Sequence, residues 1–236
     1  MSRIRAVITD IEGTTTPISF VHEVLFPYAR ERLAGFVAKH GDDAEVAAAL
    51  AEARVLGGVP DASRDETVAL LISWIDEDRK AGPLKFLQGL IWRQGYEEGV
   101  LNGPVYADAA AALRRWHDRG LRLFVYSSGS EEAQRLIFGY SDRGDLTPLF
   151  ENYFDTRIGG KLDAPSYEAI ARATNLTAGE MLFLSDHTGE IEAALKAGMR
   201  CVRIDRELSL GTWRMESAAP VAGSFDAVEE QLAPGA

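Results

Sequence analysis

The chain has 236 residues, 46% of them apolar, which is room for one large domain or for a core with a smaller companion. It carries 25 basic and 36 acidic residues, a net charge of −11, which argues against nucleic acid or an anionic membrane as the main partner but not against an anionic small molecule in a locally positive site. No run approaches the ~20 consecutive apolar residues of a membrane helix, the first residues lack the apolar segment of a secretory leader, and the single cysteine, Cys201, excludes an internal disulfide, so the expected compartment is the cytoplasm.

The apolar run Ile4 to Ile8 reads as a buried strand. It stops at Asp10-Ile11-Glu12-Gly13-Thr14-Thr15-Thr16, two carboxylates, a glycine and three hydroxyls. From His22 to His40 the apolar residues recur at helical spacing, and Gly41 is a stop. Further helices are expected over Asp42–Leu56, Ser63–Lys80 and Leu84–Gly95, with Ser63 and Glu66 forming a capping box. No strand is legible between residues 17 and 100. From Tyr106 onward helices and strands alternate. Helices are expected over Tyr106–Arg119, Glu131–Phe138, Asp163–Thr174, Thr188–Ala197 and Phe225–Leu232, and strands over Leu121–Tyr126, Tyr153–Phe154, Met181–Leu184 and Cys201–Ile204. Such alternation means βαβ units around a parallel sheet. The expected architecture is therefore α/β: a Rossmann-like parallel sheet core from residues 1–16 and 101–236, with an all-helical cap domain, residues 17–100, inserted between the two pieces.

Right-handed crossovers bring the carboxyl ends of all parallel strands to one edge, where ligands bind. The first loop brings Asp10, Glu12 and Thr14, the second Ser127, Ser128 and Gly129, and the last Asp186 and Glu190. Lys161 lies in Gly159-Gly160-Lys161, just before a helix. These types suit phosphoryl transfer. A carboxylate, Asp10, can attack phosphorus and divide one hard step into two. Asp10 and Asp186 suit magnesium, which takes oxygen ligands. Ser127 and nearby N–H groups can hold phosphoryl oxygens, and Lys161 can offset their charge. Each residue alone has a plainer reading. Asp10 and Asp186 could be turn or cap residues, Ser-Ser-Gly-Ser a turn, and Glu190 a solvated helix residue. The four histidines show no metal-ligand spacing, although His187 neighbours Asp186. The joint order of nucleophile, hydroxyl, lysine and acid, each in a loop of the α/β core, is what favours chemistry.

That order resembles the haloacid dehalogenase superfamily, matched by Asp10, Ser127, Lys161 and Asp186, with Glu12 where most phosphatases of the superfamily have a second Asp. The opening Asp10 to Val21, with Leu87-Gln88-Gly89-Leu90-Ile91-Trp92, Tyr126-Ser127-Ser128-Gly129-Ser130 and Phe183-Leu184-Ser185-Asp186, is similar to one branch whose members enolise a phosphorylated diketone and then dephosphorylate it. This resemblance implies 2,3-diketo-5-methylthiopentyl-1-phosphate as substrate, in methionine salvage. It implies Mg2+ on Asp10 and Asp186 side chains and the Glu12 carbonyl, substrate held by Ser127, Ser128 and Lys161, and a monomer. Asp10, Glu12 and Lys161 would be the catalytic set. Phe20, His22, Leu87 and Trp92 are cap residues that either read the methylthio end or pack the cap's own core. The competing readings are a capped phosphatase or phosphomutase for another sugar phosphate, a metal-independent dehalogenase, and a non-catalytic binder on the same fold.

Overall fold

The structure is a computed structural model and describes residues 3–216 and 218–232. Its backbone divides into two compact units, one made of the chain up to Ile18 and from Gly103 onward, the other of Ser19–Asn102.

The first unit is built on a seven-stranded sheet. Its strands are β1 (Ala6–Thr9), β2 (Arg122–Tyr126), β3 (Asn152–Phe154), β4 (Met181–Ser185), β5 (Arg200–Ile204), β6 (Trp213–Met215) and β7 (Pro220–Ala222). The order is β3-β2-β1-β4-β5-β7-β6, parallel throughout except for the β6–β7 pair. Val7 and Ile8 are both within 1% of full burial, although they point to opposite faces. Both faces of β1 are therefore covered, as a central parallel strand requires. On one face, Ala6, Ile8, Phe124, Tyr126 and Phe183 pack with Tyr167, Ile170 and Ile191 into a continuous apolar cluster. Cys201 belongs to this cluster, and burial pushes its thiol up to about 12, so it acts as a small apolar filler. The helices of this unit are α6 (Ala107–Asp118), α7 (Glu131–Gly139), α8 (Ala164–Thr174), α9 (Thr188–Lys196) and α10 (Phe225–Leu232). Trp116 of α6 stacks on Phe225 of α10 with ring centroids 5.5 Å apart.

The chain runs from β1 to β2 on one side of β1, and later from β3 across to β4 on the other side. The strand order reverses between β1 and β4, and that crevice is where an open α/β sheet binds its ligand.

The second unit is all helical: the end of α1 (Ile18–Phe20), a π-helical stretch Val21–Leu25, then α2 (Phe26–His40), α3 (Ala44–Leu56), α4 (Arg64–Asp76) and α5 (Gly82–Glu97). Leu33, Leu50, Leu71, Trp74 and Leu87 are buried in it. Ser63 and Glu66 form the expected capping box at the start of α4. That helix ends at Asp76 rather than Lys80, because Asp78 takes φ +51° and Arg79 donates its N–H back to the Trp74 carbonyl. The π-helical stretch has the apolar spacing of an ordinary helix and was not separable from one by pattern. Trp92 reaches it from α5: its Nε1 donates to the Leu25 carbonyl at 2.8 Å and its ring stacks on Phe26. Trp92 and Leu87 are thus interior residues of the helical unit, while His22 is exposed. Trp92→Phe removes this donor and some volume. It should cost about 1–3 kcal/mol in a denaturant titration, the usual penalty for unpairing a buried group.

Candidate active site

β1 and β4 set the geometry. Their register pairs Thr9 with Leu184, and the Asp10 N–H continues the ladder to the Leu184 carbonyl at 2.9 Å. Asp10 is therefore fixed at the strand end beside Ser185, with Asp186 one residue further. The register of β1 with β2 pairs Thr9 with Val125, which brings Ser127 to the same edge.

Lys161 is the centre of charge. Its ammonium lies 2.6 Å from Asp10 Oδ1 and 2.8 Å from Glu190 Oε2, and the three side chains are 10%, 6% and 11% exposed. Burial opposes the lysine's charge, but Asp10 and Glu190 together outweigh it and raise Lys161 above the ordinary lysine range. Glu190 is raised by burial and by the charge of Asp10, against the pull of Lys161. Ser185 donates its hydroxyl to Glu190 Oε2 at 2.8 Å and accepts the His187 N–H at 3.1 Å. The lysine's loop is pinned by three hydroxyls. Tyr126 donates to the Gly159 carbonyl, Ser166 to that of Gly160 and Tyr167 to that of Lys161, at 2.7–3.0 Å. Gly159 adopts φ +140°, and a Cβ there would lie 2.2 Å from Ser166 Oγ, so only glycine fits.

The loop after β2 is held by Gln134, whose Nε2 donates to the carbonyls of Gly129 and Phe154. Ser127 is 2% exposed, and its Oγ accepts the Gly129 N–H at 3.1 Å, leaving its own proton for an incoming acceptor. Ser128 follows, half-buried. Glu12 is half-buried in a tight excursion closed by a bridge to Thr16.

Asp186 sits directly over Gly13: a Cβ on that glycine would be 2.1 Å from Asp186 Oδ2. Burial, then the charge of Asp10, raises the Asp186 carboxyl above its usual range. A carboxylate whose charge is disfavoured by burial and by a neighbouring acid suits a hard cation. Among the described residues no group of three or more His, Cys, Asp or Glu side chains could hold a metal. Carboxylates without imidazole or thiolate donors grouped with them, among the described residues, suit a hard divalent cation rather than zinc.

The structure thus brings Asp10, Lys161 and Asp186 to one strand edge and places Ser127 and Ser128 on the adjacent loop there. His187 is exposed at the start of α9. Glu190 is the residue that sequence reasoning left open between a site role and a solvated helix position. It is buried and paired with Lys161. Its one sequence signal is its place one turn beyond Asp186, at the start of the helix that follows β4.

A model of the haloacid dehalogenase-like hydrolases matches residues 4–198. The chain belongs to that family of hydrolases, in keeping with the strand order and the acidic crevice. Its place within the family is narrower. The enolase-phosphatase E1 of Parvibaculum lavamentivorans is 69% identical over 235 residues, spanning 100% of this chain and 99% of its own. That of Methylococcus capsulatus is 50% identical over 229 residues, spanning 97% and 99%. The solved UTR4 protein of Saccharomyces cerevisiae superposes with a TM-score of 0.77 at 33% identity, over 95% of this chain and 99% of that one. The chain is thus a member of the enolase-phosphatase E1 family, an enzyme with phosphatase and enolase activity. Enzymes of this kind are generally metal-dependent. No helix among the described residues is long and apolar enough to cross a membrane.

Proposed function

We propose that the substrate is 2,3-diketo-5-methylthiopentyl-1-phosphate, and that the products are phosphate and the acireductone 1,2-dihydroxy-3-keto-5-methylthiopentene, a step of methionine salvage. The observation that supports phosphoryl transfer is the Lys161 ammonium 2.6 Å from Asp10, at the reversal point of the sheet, and the choice of substrate is supported by the likeness to enolase-phosphatase E1 relatives at 69% and 50% identity. Asp10 Oδ1 and Lys161 form a nucleophile and a charge partner already in contact.

Enolisation comes first. A base removes a proton next to the diketone carbonyl, and Glu12 is the candidate base, having one more methylene of reach than the aspartate common in the superfamily. Asp10 then attacks phosphorus. The P–O bond to the enediol breaks, and Glu12 protonates the departing oxygen. In the second half Glu12 takes a proton from water, which attacks the aspartyl-phosphate, frees phosphate and restores Asp10; that proton is released to solvent, from which the enolate oxygen takes one, and Glu12 is again a base. Ser127, Ser128 and Lys161 orient the phosphoryl oxygens and offset their charge. The side chains of Asp10 and Asp186 and the carbonyl of Glu12 would hold Mg2+, which would polarise the substrate carbonyl and offset phosphoryl charge. The helical unit serves as the cap that excludes water. The enzyme works in the cytoplasm as a monomer.

The test supplies the diketone phosphate and Mg2+ and follows ultraviolet absorbance together with released phosphate. An absorbing enediol product that disappears on chelation supports the reading. Phosphate release without new absorbance points instead to a plain phosphatase, and release that survives chelation rejects the metal. Glu12→Asp should slow enolisation by about tenfold more than phosphate release, a difference of ~1.4 kcal/mol in barrier. Equal losses in the two steps would remove Glu12 as the base.

A further inference from the structure

The loop that carries Asp10 and Glu12 is gripped from behind by a residue that takes no part in the chemistry. Arg206, in the turn after β5, donates its Nε to the Thr14 carbonyl at 2.9 Å, and its Nη2 donates to the same oxygen. Its Nη1 pairs with Asp108 at 2.7 Å, and both side chains are about nine-tenths buried, 12% and 11% exposed. The guanidinium lies over the Tyr106 ring, 4.1 Å from its centroid. The Asp108 oxygen also accepts the Phe225 N–H at 2.8 Å, which ties the cluster to α10. A buried ion pair is weak evidence of stabilisation in itself, because desolvation offsets most of the attraction. What the pair orients is more informative.

It orients Thr14. The Thr14 hydroxyl accepts the Asp186 N–H at 3.0 Å, so this residue is bonded to Arg206 on one side and to Asp186 on the other. Its neighbour Thr15 donates its hydroxyl to the Asp10 carbonyl at 3.2 Å and accepts the Tyr106 N–H at its own carbonyl at 2.9 Å. Residues 14 and 15 thus connect the backbones of the two acids, and the cluster of Tyr106, Asp108 and Arg206 fixes residues 14 and 15. Beside the β1–β4 ladder and the Lys161–Glu190–Ser185 contacts, this is a further link between the backbones that carry the two carboxylates.

We infer that Arg206 is a positioning residue for the metal site, setting cation affinity through Thr14 rather than the rate of chemistry. The inference rests on Asp10 and Asp186 being the metal ligands. Magnesium demands near-ideal octahedral geometry at about 2.0–2.1 Å, so small changes in carboxylate spacing weaken it. Outer partners of metal ligands commonly contribute about 10–100-fold to affinity. A lysine in place of Arg206 retains the charge but lacks the planar fork that serves Thr14 and Asp108 together.

The experiment measures Mn2+ binding, through the electron paramagnetic resonance of the free ion, in wild type, Arg206→Met, Arg206→Lys, Asp186→Asn and Arg203→Met. Arg203 is a control on β5 that pairs with Asp205 and Glu216. Arg206→Met should weaken Mn2+ by about tenfold or more, and raise the Mg2+ needed for half-maximal phosphate release by a similar factor. Its kcat at saturating Mg2+ should stay within about threefold of wild type, since an interaction that sets binding alone leaves kcat in place. Arg206→Lys should fall between, Arg203→Met should match wild type, and Asp186→Asn should lose binding. Wild-type Mn2+ affinity in Arg206→Met overturns the inference, as does a fall in kcat with affinity unchanged. If Arg206→Met does not fold, Arg206→Lys decides by the same criterion. Should Asp186→Asn bind Mn2+ like wild type, the metal-ligand assignment itself fails. Should Asp186→Asn lose binding while Arg206→Met retains it, only the role of Arg206 falls.

Discussion

Asp10→Asn should lower phosphate release by about 10⁴-fold or more, the scale seen when a nucleophile is removed from its working partners. The amide keeps the size of the side chain but cannot attack phosphorus. Lys161 would still pair with Glu190, so the loops should remain in place. Phosphate release by the purified variant, alongside its thermal melt, checks this. A folded variant that releases phosphate at the parent rate would dispose of Asp10 as nucleophile. At saturating Mg2+, which offsets the weaker hold of an amide ligand, enolisation should be affected far less, because no covalent bond to Asp10 is needed for a proton transfer. A variant that enolises and then stalls would separate the two half-reactions in one protein.

Lys161→Met is expected to act on both activity and stability. Removing a preorganised cation from a developing phosphoryl charge should lower kcat by about 10²–10³-fold. It also leaves Asp10 and Glu190 buried without their cation. Breaking one partner of a buried pair costs about 3–5 kcal/mol. Lys161 is raised above its ordinary value in the folded protein, so its contribution to stability is complete below the ordinary lysine range and fades only as pH rises through the folded value. Without Lys161 the carboxylates govern. Glu190, already raised, then favours the protonated form still more when folded, so the variant regains stability as pH falls toward the carboxylate range. Denaturant titrations in chelator at pH 5 and pH 8 measure this. A loss that does not shrink at the lower pH would mean that Glu190 is not the group left unpaired.

The sheet and its reactive edge are largely legible because their signals are local. Each apolar run is followed at once by its chemistry: Asp10 after β1, Ser127 after β2, Asp186 after β4. Topology alone then requires those ends to share an edge. What is not legible depends on partners distant in sequence. Glu190 has the surroundings of an ordinary surface glutamate on a short helix, and only Lys161, from a loop 29 positions earlier, makes it a buried ion-pair member. Arg206 and Asp108 belong to no motif, and their meaning comes from the Thr14 carbonyl. The strands β6 and β7 are three residues each, and Pro220 discourages a strand reading. Their pairing rests on β5, with Ile204 beside Ala222. The π-helical stretch at Val21–Leu25 keeps helical periodicity, so its wider turn shows only in the backbone and in the Trp92 bond it receives.

The central strand has a consequence for how the molecule is made. β1 lies in the interior of the sheet, yet its two neighbours lie far along the chain: Ala6 pairs with Arg122 on one side and with Met181 on the other. During synthesis the helical unit, contiguous from Ser19 to Asn102, is complete before either neighbour has been translated. It can fold as a unit while β1 waits, unpaired and apolar. The long intervening segment adds little entropy to closure, because that term grows only with the logarithm of loop length. A prefolded insertion shortens the effective loop further. The helical unit thereby acts first as a spacer in folding, delivering a strand made at the beginning to a sheet assembled at the end.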